Sequence, residues 1–154
     1  MYFYYSANST GHASNAITVT WEGSATYRWA FAVEYSGVAT SSPLDAIEAK
    51  TGTGVVDLVT DAFTTAQNSE VVILFASQGA LTVYTAGTDF SLMDGTIPDA
   101  ASPEFFGGAQ DYITSSTLSS YTAHITSTSV AAYTLVVATF KAAETATRNR
   151  IFAQ

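Results

Sequence analysis

The sequence contains no cysteine and only two histidines, His12 and His124. The absence of cysteine excludes disulfide bonds and thiolate-ligated zinc or iron–sulfur sites. Two histidines are too few for a multi-histidine metal centre within one chain. We therefore expect no cofactor. The length of 154 residues fits one domain that is large enough to bury a core without such staples.

Charged residues are scarce as well: they make up 12% of the chain, about half the usual share. The chain has five Lys and Arg residues and 13 Asp and Glu residues, so its formal net charge is −8. A phosphate backbone and an anionic membrane surface would both be repelled, so we expect no nucleic-acid and no membrane partner. The abundance of Thr, Ser and Ala is typical of virion proteins, adhesins and secreted β-modules.

Long apolar runs are also missing. The longest, VVILFA at 71–76, falls well short of the ~20 residues that span a bilayer and suits a buried strand. The opening MYFYYSANSTGHAS has neither the basic region nor the apolar region of a signal peptide. These features predict a chain that is made and folded in the cytosol.

Alternation of bulky and small or polar residues dominates what is present. AITVTW (16–21) and YRWAFAVEY (27–35) each place their large side chains on one face. Those side chains are Ile17, Val19 and Trp21 in the first segment, and Tyr27, Trp29, Phe31, Val33 and Tyr35 in the second. The two segments predict a hairpin whose bulky faces seal a core.

The remaining pattern predicts further strands within 55–65, 71–77, 80–86, 109–114, 118–128 and 131–143. Long Gly- and Pro-containing connections separate them at 36–54 and 87–108, and Ser42 before Pro43 favours one helical turn in the first. This spacing predicts an all-β domain over 1–143, a two-sheet antiparallel β-sandwich with jelly-roll or Greek-key connections. Residues 144–154 are predicted to form a C-terminal tail or arm.

Four segments carry a resemblance to a known module: AVEYSGVATSSPLDA (32–46), TGTG (51–54), VVILFAS (71–77) and AAYTLVVATFKAA (131–143). Together they resemble a β-sandwich module of phage structural proteins and bacterial surface or secreted proteins, which has an E-Y-S-G-V…P-L-D segment. In that module further strands precede the part that resembles MYFYYSANSTG. The resemblance implies that a neighbouring subunit, or the tail, supplies those strands.

No catalytic pattern emerges from the polar residues. Alternation places Glu34 away from the aromatic stripe, beside the following Ser-Gly turn, and this explains it better than a catalytic or metal-binding role. There is no G-x-S-x-G motif, and TGTG lacks the lysine and helix of a phosphate loop. His124 is expected to be exposed on the Thr face of its strand, and His12 lies in a turn. We therefore expect no enzyme.

The loop TDFSLMDGTIPDA carries Asp89, Asp94 and Asp99. Their spacing differs from that of an EF-hand loop, so we interpret them as turn-forming residues. A calcium site remains the open alternative, since Ca²⁺ takes oxygen ligands from such loops.

Aromatic and basic residues mark three candidate interfaces. Tyr2, Phe3, Tyr4 and Tyr5 form an unbroken run, so two of them must point away from the core unless the strand is buried on both faces. The other two candidates are a loop and the tail. They comprise Phe105 and Phe106 in the loop, and Arg148, Arg150, Ile151 and Phe152 in the tail, for which a frayed terminus is the alternative.

These observations favour a non-enzymatic structural protein of a virus (phage) particle, such as a capsid decoration or a tail or fibre component. Such a protein would form homo-oligomers, contact other virion proteins and be located in the virion. The alternative is a carbohydrate-binding or adhesive module of a bacterial surface protein, with a surface glycan as its partner and the cell surface as its location.

Overall fold

The computed structural model describes residues 1–11, 16–24, 29–93, 105–143 and 150–151. Within these ranges every regular element is a β-strand. The strands are β1 (Glu34–Tyr35), β2 (Leu44–Gly52), β3 (Asp57–Val59), β4 (Val71–Thr82), β5 (Tyr84–Ala86), β6 (Ser91–Leu92), β7 (Phe105–Ile113), β8 (His124–Ser127), β9 (Tyr133–Phe140) and β10 (Arg150–Ile151). No stretch of the described chain forms a helix long and apolar enough to cross a membrane.

Eight of these strands form two antiparallel sheets that pack face to face. The large sheet has the order β2-β9-β4-β7-β6, and the small sheet has the order β3-β8-β5. The main core lies between them, where Leu74 and Leu135 of the large sheet meet Leu58 and Ile125 of the small one. The predicted β-sandwich is therefore confirmed.

The pairing is nested: β2 pairs with β9, β3 with β8, and β4 with β7. First strands thus join last strands, as in an antiparallel ribbon that is wound into a jelly roll. One detail departs from that scheme, because the short β6 pairs with β7 rather than with β5.

The central strand β4 explains the apolar run in the sequence. Val72, Leu74 and Ala76 face the core between the sheets. Their neighbours Ile73 and Phe75 lie on the opposite side of the large sheet, which we call the outer face. Because both faces of the sheet are covered, the strand reads as continuously apolar rather than alternating.

The hairpin predicted from 16–21 and 27–35 is not formed. Residues 16–24 belong to no strand, and Ile17, Val19 and Trp21 are 68%, 48% and 45% exposed. Among the described residues of the second segment, only Glu34–Tyr35 is a strand, and it pairs with β10. The prediction that the two bulky faces seal a core is therefore wrong for 16–21, whose large side chains are exposed.

The second segment covers the outer face instead. Its described bulky side chains, Trp29, Phe31, Val33 and Tyr35, pack on the outer-face cluster. The Tyr35 hydroxyl also donates a 2.8 Å hydrogen bond to the buried carboxylate of Asp111 in β7. The outer face is apolar and must be shielded from water, so side-chain burial fixes this segment without a continuous β-ladder.

Two predicted connections contain strands. The first, 36–54, includes all of β2, and no helical turn forms there because Leu44–Gly52 pairs along β9. Ser42 has a φ of 46°, which is not the conformation of a helix N-cap. The second, 87–108, includes β6 and the start of β7. Phe105 and Phe106 therefore lie in a strand, not in a loop.

Candidate functional site

The N-terminal arm, defined here as residues 1–11 and 16–24, presents most of its side chains to solvent. In the first part, Phe3 packs on Phe75 and Phe140 with ring centroids 5.4 and 6.0 Å apart. Tyr2 and Tyr4 project away, are 88% and 84% exposed, and stack on each other at 6.3 Å. Phe3 thus anchors the arm on the outer face of the large sheet, whereas its neighbours Tyr2 and Tyr4 point into solvent.

The second part of the arm, 16–24, is exposed at every position. It keeps the strand pattern of the sequence, with Ile17, Val19 and Trp21 at alternate positions. No strand of the described chain pairs with it. Its apolar side chains Ile17, Val19 and Trp21 are accessible to a partner.

The other predicted interface residues lie in strands β7 and β10 or outside the described residues. Phe105 opens β7, with Phe106 next to it, whereas Arg150 and Ile151 form β10 opposite Tyr35 and Glu34. The structure describes the backbone of these four residues but not their side chains. Arg148 and Phe152 lie outside the described residues.

Of the predicted acidic positions, Glu34 and Asp89 lie in the described part of the chain, and neither belongs to an assembled site there. Glu34 is half-buried and pairs with Ile151. Asp89 is exposed, with a φ of 69° that is typical of a turn residue, whereas Asp94 and Asp99 lie outside the described part. Across the described ranges, no group of three or more acidic, His or Cys side chains is placed to hold a metal ion.

His124 is half-buried rather than exposed. Its Nδ1 lies 3.0 Å from Asp57 Oδ1, and its Nε2 accepts a 3.2 Å hydrogen bond from the backbone N–H of Thr88. Because Nε2 acts as an acceptor, the ring proton lies on Nδ1 and is donated to Asp57. Both ring nitrogens are engaged, so His124 ties β8 to β3 and is not placed as a general base. His12 lies outside the described residues.

The sequence reading missed a carboxyl pair formed by Asp45 and Glu70. Glu70 is fully buried, and its Oε1 accepts the N–H of Gln67 at 3.2 Å. The Asp45 carboxyl and the Thr139 hydroxyl lie close to the Glu70 carboxyl, but Glu70 Oε2 makes no hydrogen bond to the described residues. Burial, with a further contribution from Asp45, raises the pKa of Glu70.

Burial penalises the charged form of Glu70, and the nearby Asp45 carboxyl adds to that penalty, so the neutral, protonated form of Glu70 is favoured. Asp45 accepts the N–H of Ala66 at 2.7 Å, so the pair lies where β2 approaches the residues that precede β4. Alternation along the strand was the signal in the sequence. Glu70 lies two residues before Val72 and four before Leu74, so its side chain faces the core as theirs do.

A shallow groove of about 580 Å³ lies across one end of the large sheet. It is lined by Thr51, Gly52, Thr53, Ser77, Gln78, Gly79, Ala132, Tyr133 and Thr134. The lining is neutral and rich in hydroxyl groups. Nothing in the sequence reading pointed to it, because the residues come from three strands that are distant along the chain.

No protein-family model, no curated protein and no solved structure matches this chain. The resemblance to the phage and surface-protein module thus rests on the four short sequence segments alone.

Proposed function

We propose that this chain is a non-enzymatic structural protein of a virus particle, of the phage type, acting as a capsid decoration or a tail or fibre component through subunit contacts. The observation that supports the proposal is the exposed segment 16–24 of the N-terminal arm. It combines a strand pattern with alternate apolar side chains on the surface of a folded sandwich, and no described strand pairs with it.

Such a segment is stabilised when a second molecule covers it. Burial of apolar surface contributes about 25 cal/mol per Å², and a strand added to a sheet edge gains a row of main-chain hydrogen bonds. The sandwich offers such an edge in β2, which is the terminal strand of the large sheet. A copy of the chain therefore carries both complementary parts of a strand-addition contact.

The jelly-roll order adds support of a weaker kind. This architecture recurs in viral capsid and lectin domains, but a fold alone does not decide a function. The second candidate, an adhesive module of a bacterial surface protein, is favoured by the hydroxyl-lined groove.

The test is the solution mass of the purified chain, measured by light scattering on a sizing column over a range of concentrations. We expect a closed oligomer. The triple variant Ile17→Ser, Val19→Ser, Trp21→Ser should shift the population toward monomer, because it removes the apolar face of the segment. The matched control Thr18→Ala, Thr20→Ala alters the other face of the same segment and should keep the oligomer.

Equal masses for the triple variant and an oligomeric wild type would show that segment 16–24 is not part of the interface. A wild-type chain that stays monomeric at every concentration would contradict self-assembly and leave the adhesive module as the better proposal.

A further inference from the structure

The groove lies where the cover of the outer face ends. Residues two apart on a strand share a face, so Ser77 follows Phe75 on the outer face of β4. Phe75 is covered by Phe3 and Phe31. Ser77 is half-buried and forms the wall of the groove. The aromatic cover thus stops one row before the end of the sheet.

Register aligns three hydroxyl groups in that last row. Thr51 of β2 is opposite Thr134 of β9, and Thr134 is opposite Ser77 of β4. Paired residues point to the same face, so the three side chains stand next to one another across the sheet. Each hydroxyl group is both a donor and an acceptor of hydrogen bonds.

An aromatic ring lies next to the Ser77 end of the hydroxyl row. Ser77 is opposite Gly107 of β7, and the indole of Trp29 lies directly on Gly107, where a Cβ atom would overlap the ring. Trp29 itself is half-buried and lies beside the groove, next to the residues that line it.

The chemistry of the lining restricts the ligand. No charged side chain lines the groove, and the net charge of −8 opposes anions, so a phosphate or carboxylate ligand lacks a partner. No carboxylate is present there to hold a cation. A purely apolar ligand would leave the hydroxyl groups unpaired.

We propose that the groove binds a neutral sugar residue of a glycan, with its hydroxyl groups on Thr51, Thr134 and Ser77 and one ring face toward Trp29. A sugar combines many hydroxyl groups with an apolar face of C–H groups, which matches a hydroxyl row beside an aromatic ring. The volume of about 580 Å³ lies within the usual range of ligand sites. The site does not depend on self-assembly.

The sequence contains two tryptophans, Trp21 and Trp29. The experiment uses the full chain with Trp21→Phe, so that all tryptophan emission comes from Trp29. Neutral oligosaccharides that end in glucose, galactose, mannose or N-acetylglucosamine are titrated, and the emission of Trp29 is followed. We expect a saturable change with at least one of them. Thr134→Val keeps the side-chain shape but removes the hydroxyl group, and should weaken that binding about tenfold.

Two further variants keep the result interpretable. Ser77→Ala removes a second hydroxyl group and should also weaken binding. Thr85→Val makes the matched change at an exposed position of β5 in the small sheet and should leave affinity unchanged. Absence of a saturable response to every sugar, or equal affinity of Thr134→Val, Thr85→Val and the parent, would overturn the proposal. Neither result bears on the oligomeric mass, so this failure is distinct from failure of the assembly proposal.

Discussion

At the scale of single residues, the buried polar groups of this sandwich show which contacts are complete. Gln110 is fully buried, accepts the N–H of Gly87 at 2.9 Å and donates to the carbonyl oxygen of His124 at 2.7 Å. It thereby links the two sheets through satisfied hydrogen bonds. Glu70 and Tyr84 differ, because Glu70 Oε2 and the Tyr84 hydroxyl are buried and have no hydrogen-bond partner among the described residues. Each of these two residues gives a prediction.

The first prediction concerns Glu70→Gln. Glu70 has a pKa that is higher in the folded than in the unfolded chain. Its contribution to stability is therefore complete at pH values below its unfolded pKa, and is lost as the pH rises through the folded pKa. Glutamine cannot ionise, and its side-chain oxygen still accepts the N–H of Gln67. We expect the variant to be more stable at neutral pH, by on the order of 1 kcal/mol.

The measurement is urea unfolding of wild type and variant at a series of pH values from acid to neutral. The difference between the two free energies of unfolding should grow in favour of Glu70→Gln as the pH rises. Glu48→Gln, in the edge strand β2 that also carries Asp45, is the control and should run parallel to wild type. A constant difference between Glu70→Gln and wild type would show that Glu70 does not hold the proton.

The second prediction concerns Tyr84→Phe. Tyr84 is 2% exposed, and burial raises the pKa of its hydroxyl group. A buried hydroxyl group without a partner costs about 1–3 kcal/mol relative to one that is satisfied. Removal of the oxygen should leave the ring packing intact and raise the free energy of unfolding by about 1 kcal/mol. A clear loss of stability in chemical denaturation would instead show that this hydroxyl has a hydrogen-bond partner.

At the scale of elements, β7 shows how one strand accommodates both layers. Its two successive glycines face opposite sides of the large sheet. The Trp29 indole lies on Gly107, and the Tyr84 ring lies on Gly108. Glycine inside a strand often marks such a close approach. The sequence showed FFGG as a loop signal, and only the packing of two aromatic rings explains why glycine stands in a strand.

The third prediction compares Gly107→Ala with Gly108→Ala. A methyl group at Gly108 displaces Tyr84 within the closed core, and overpacking of a core typically costs about 1–3 kcal/mol. A methyl group at Gly107 displaces Trp29, which is half-buried and has room to move outward. We expect Gly108→Ala to lose more stability in denaturant titration, and Gly107→Ala to shift tryptophan emission to longer wavelength. The reverse ranking would contradict the proposed packing of the two rings.

At the scale of the whole molecule, charge and apolar exposure act in opposite directions. The arm exposes Tyr2, Tyr4, Ile17, Val19 and Trp21, which favours association. The net charge of −8 on a chain of 154 residues opposes it. Contact between copies is therefore expected to depend on the salt concentration.

The fourth prediction follows from this balance. Repulsion between copies reaches about 30 Å at 0.01 M salt but only about 3 Å at 1 M, whereas apolar burial is not weakened by salt. The oligomeric fraction in light scattering should increase with sodium chloride. The variant with serine at 17, 19 and 21 should show a smaller increase. Dissociation at high salt would indicate that ion pairs, not the arm, hold the copies together.

The sequence by itself determined the strand class and the apolar positions of β4 and β9. These features depend on a period of two and on composition, which are local properties of the chain. It also identified Trp29, Phe31, Val33 and Tyr35 as one face, and the structure confirms that these side chains pack together.

Only the tertiary structure decided the partners. Residues 44–52 form strand β2 because they pair with β9, although Ser42 and Pro43 favour a helical turn. Strand preference depends on such tertiary context. Residues 16–21 have the clearer strand pattern but find no partner among the described strands. The Asp45–Glu70 pair and the hydroxyl row arise from contacts between residues that are distant along the chain. Periodicity fixes which way a side chain points, but it does not fix which strand lies beside it.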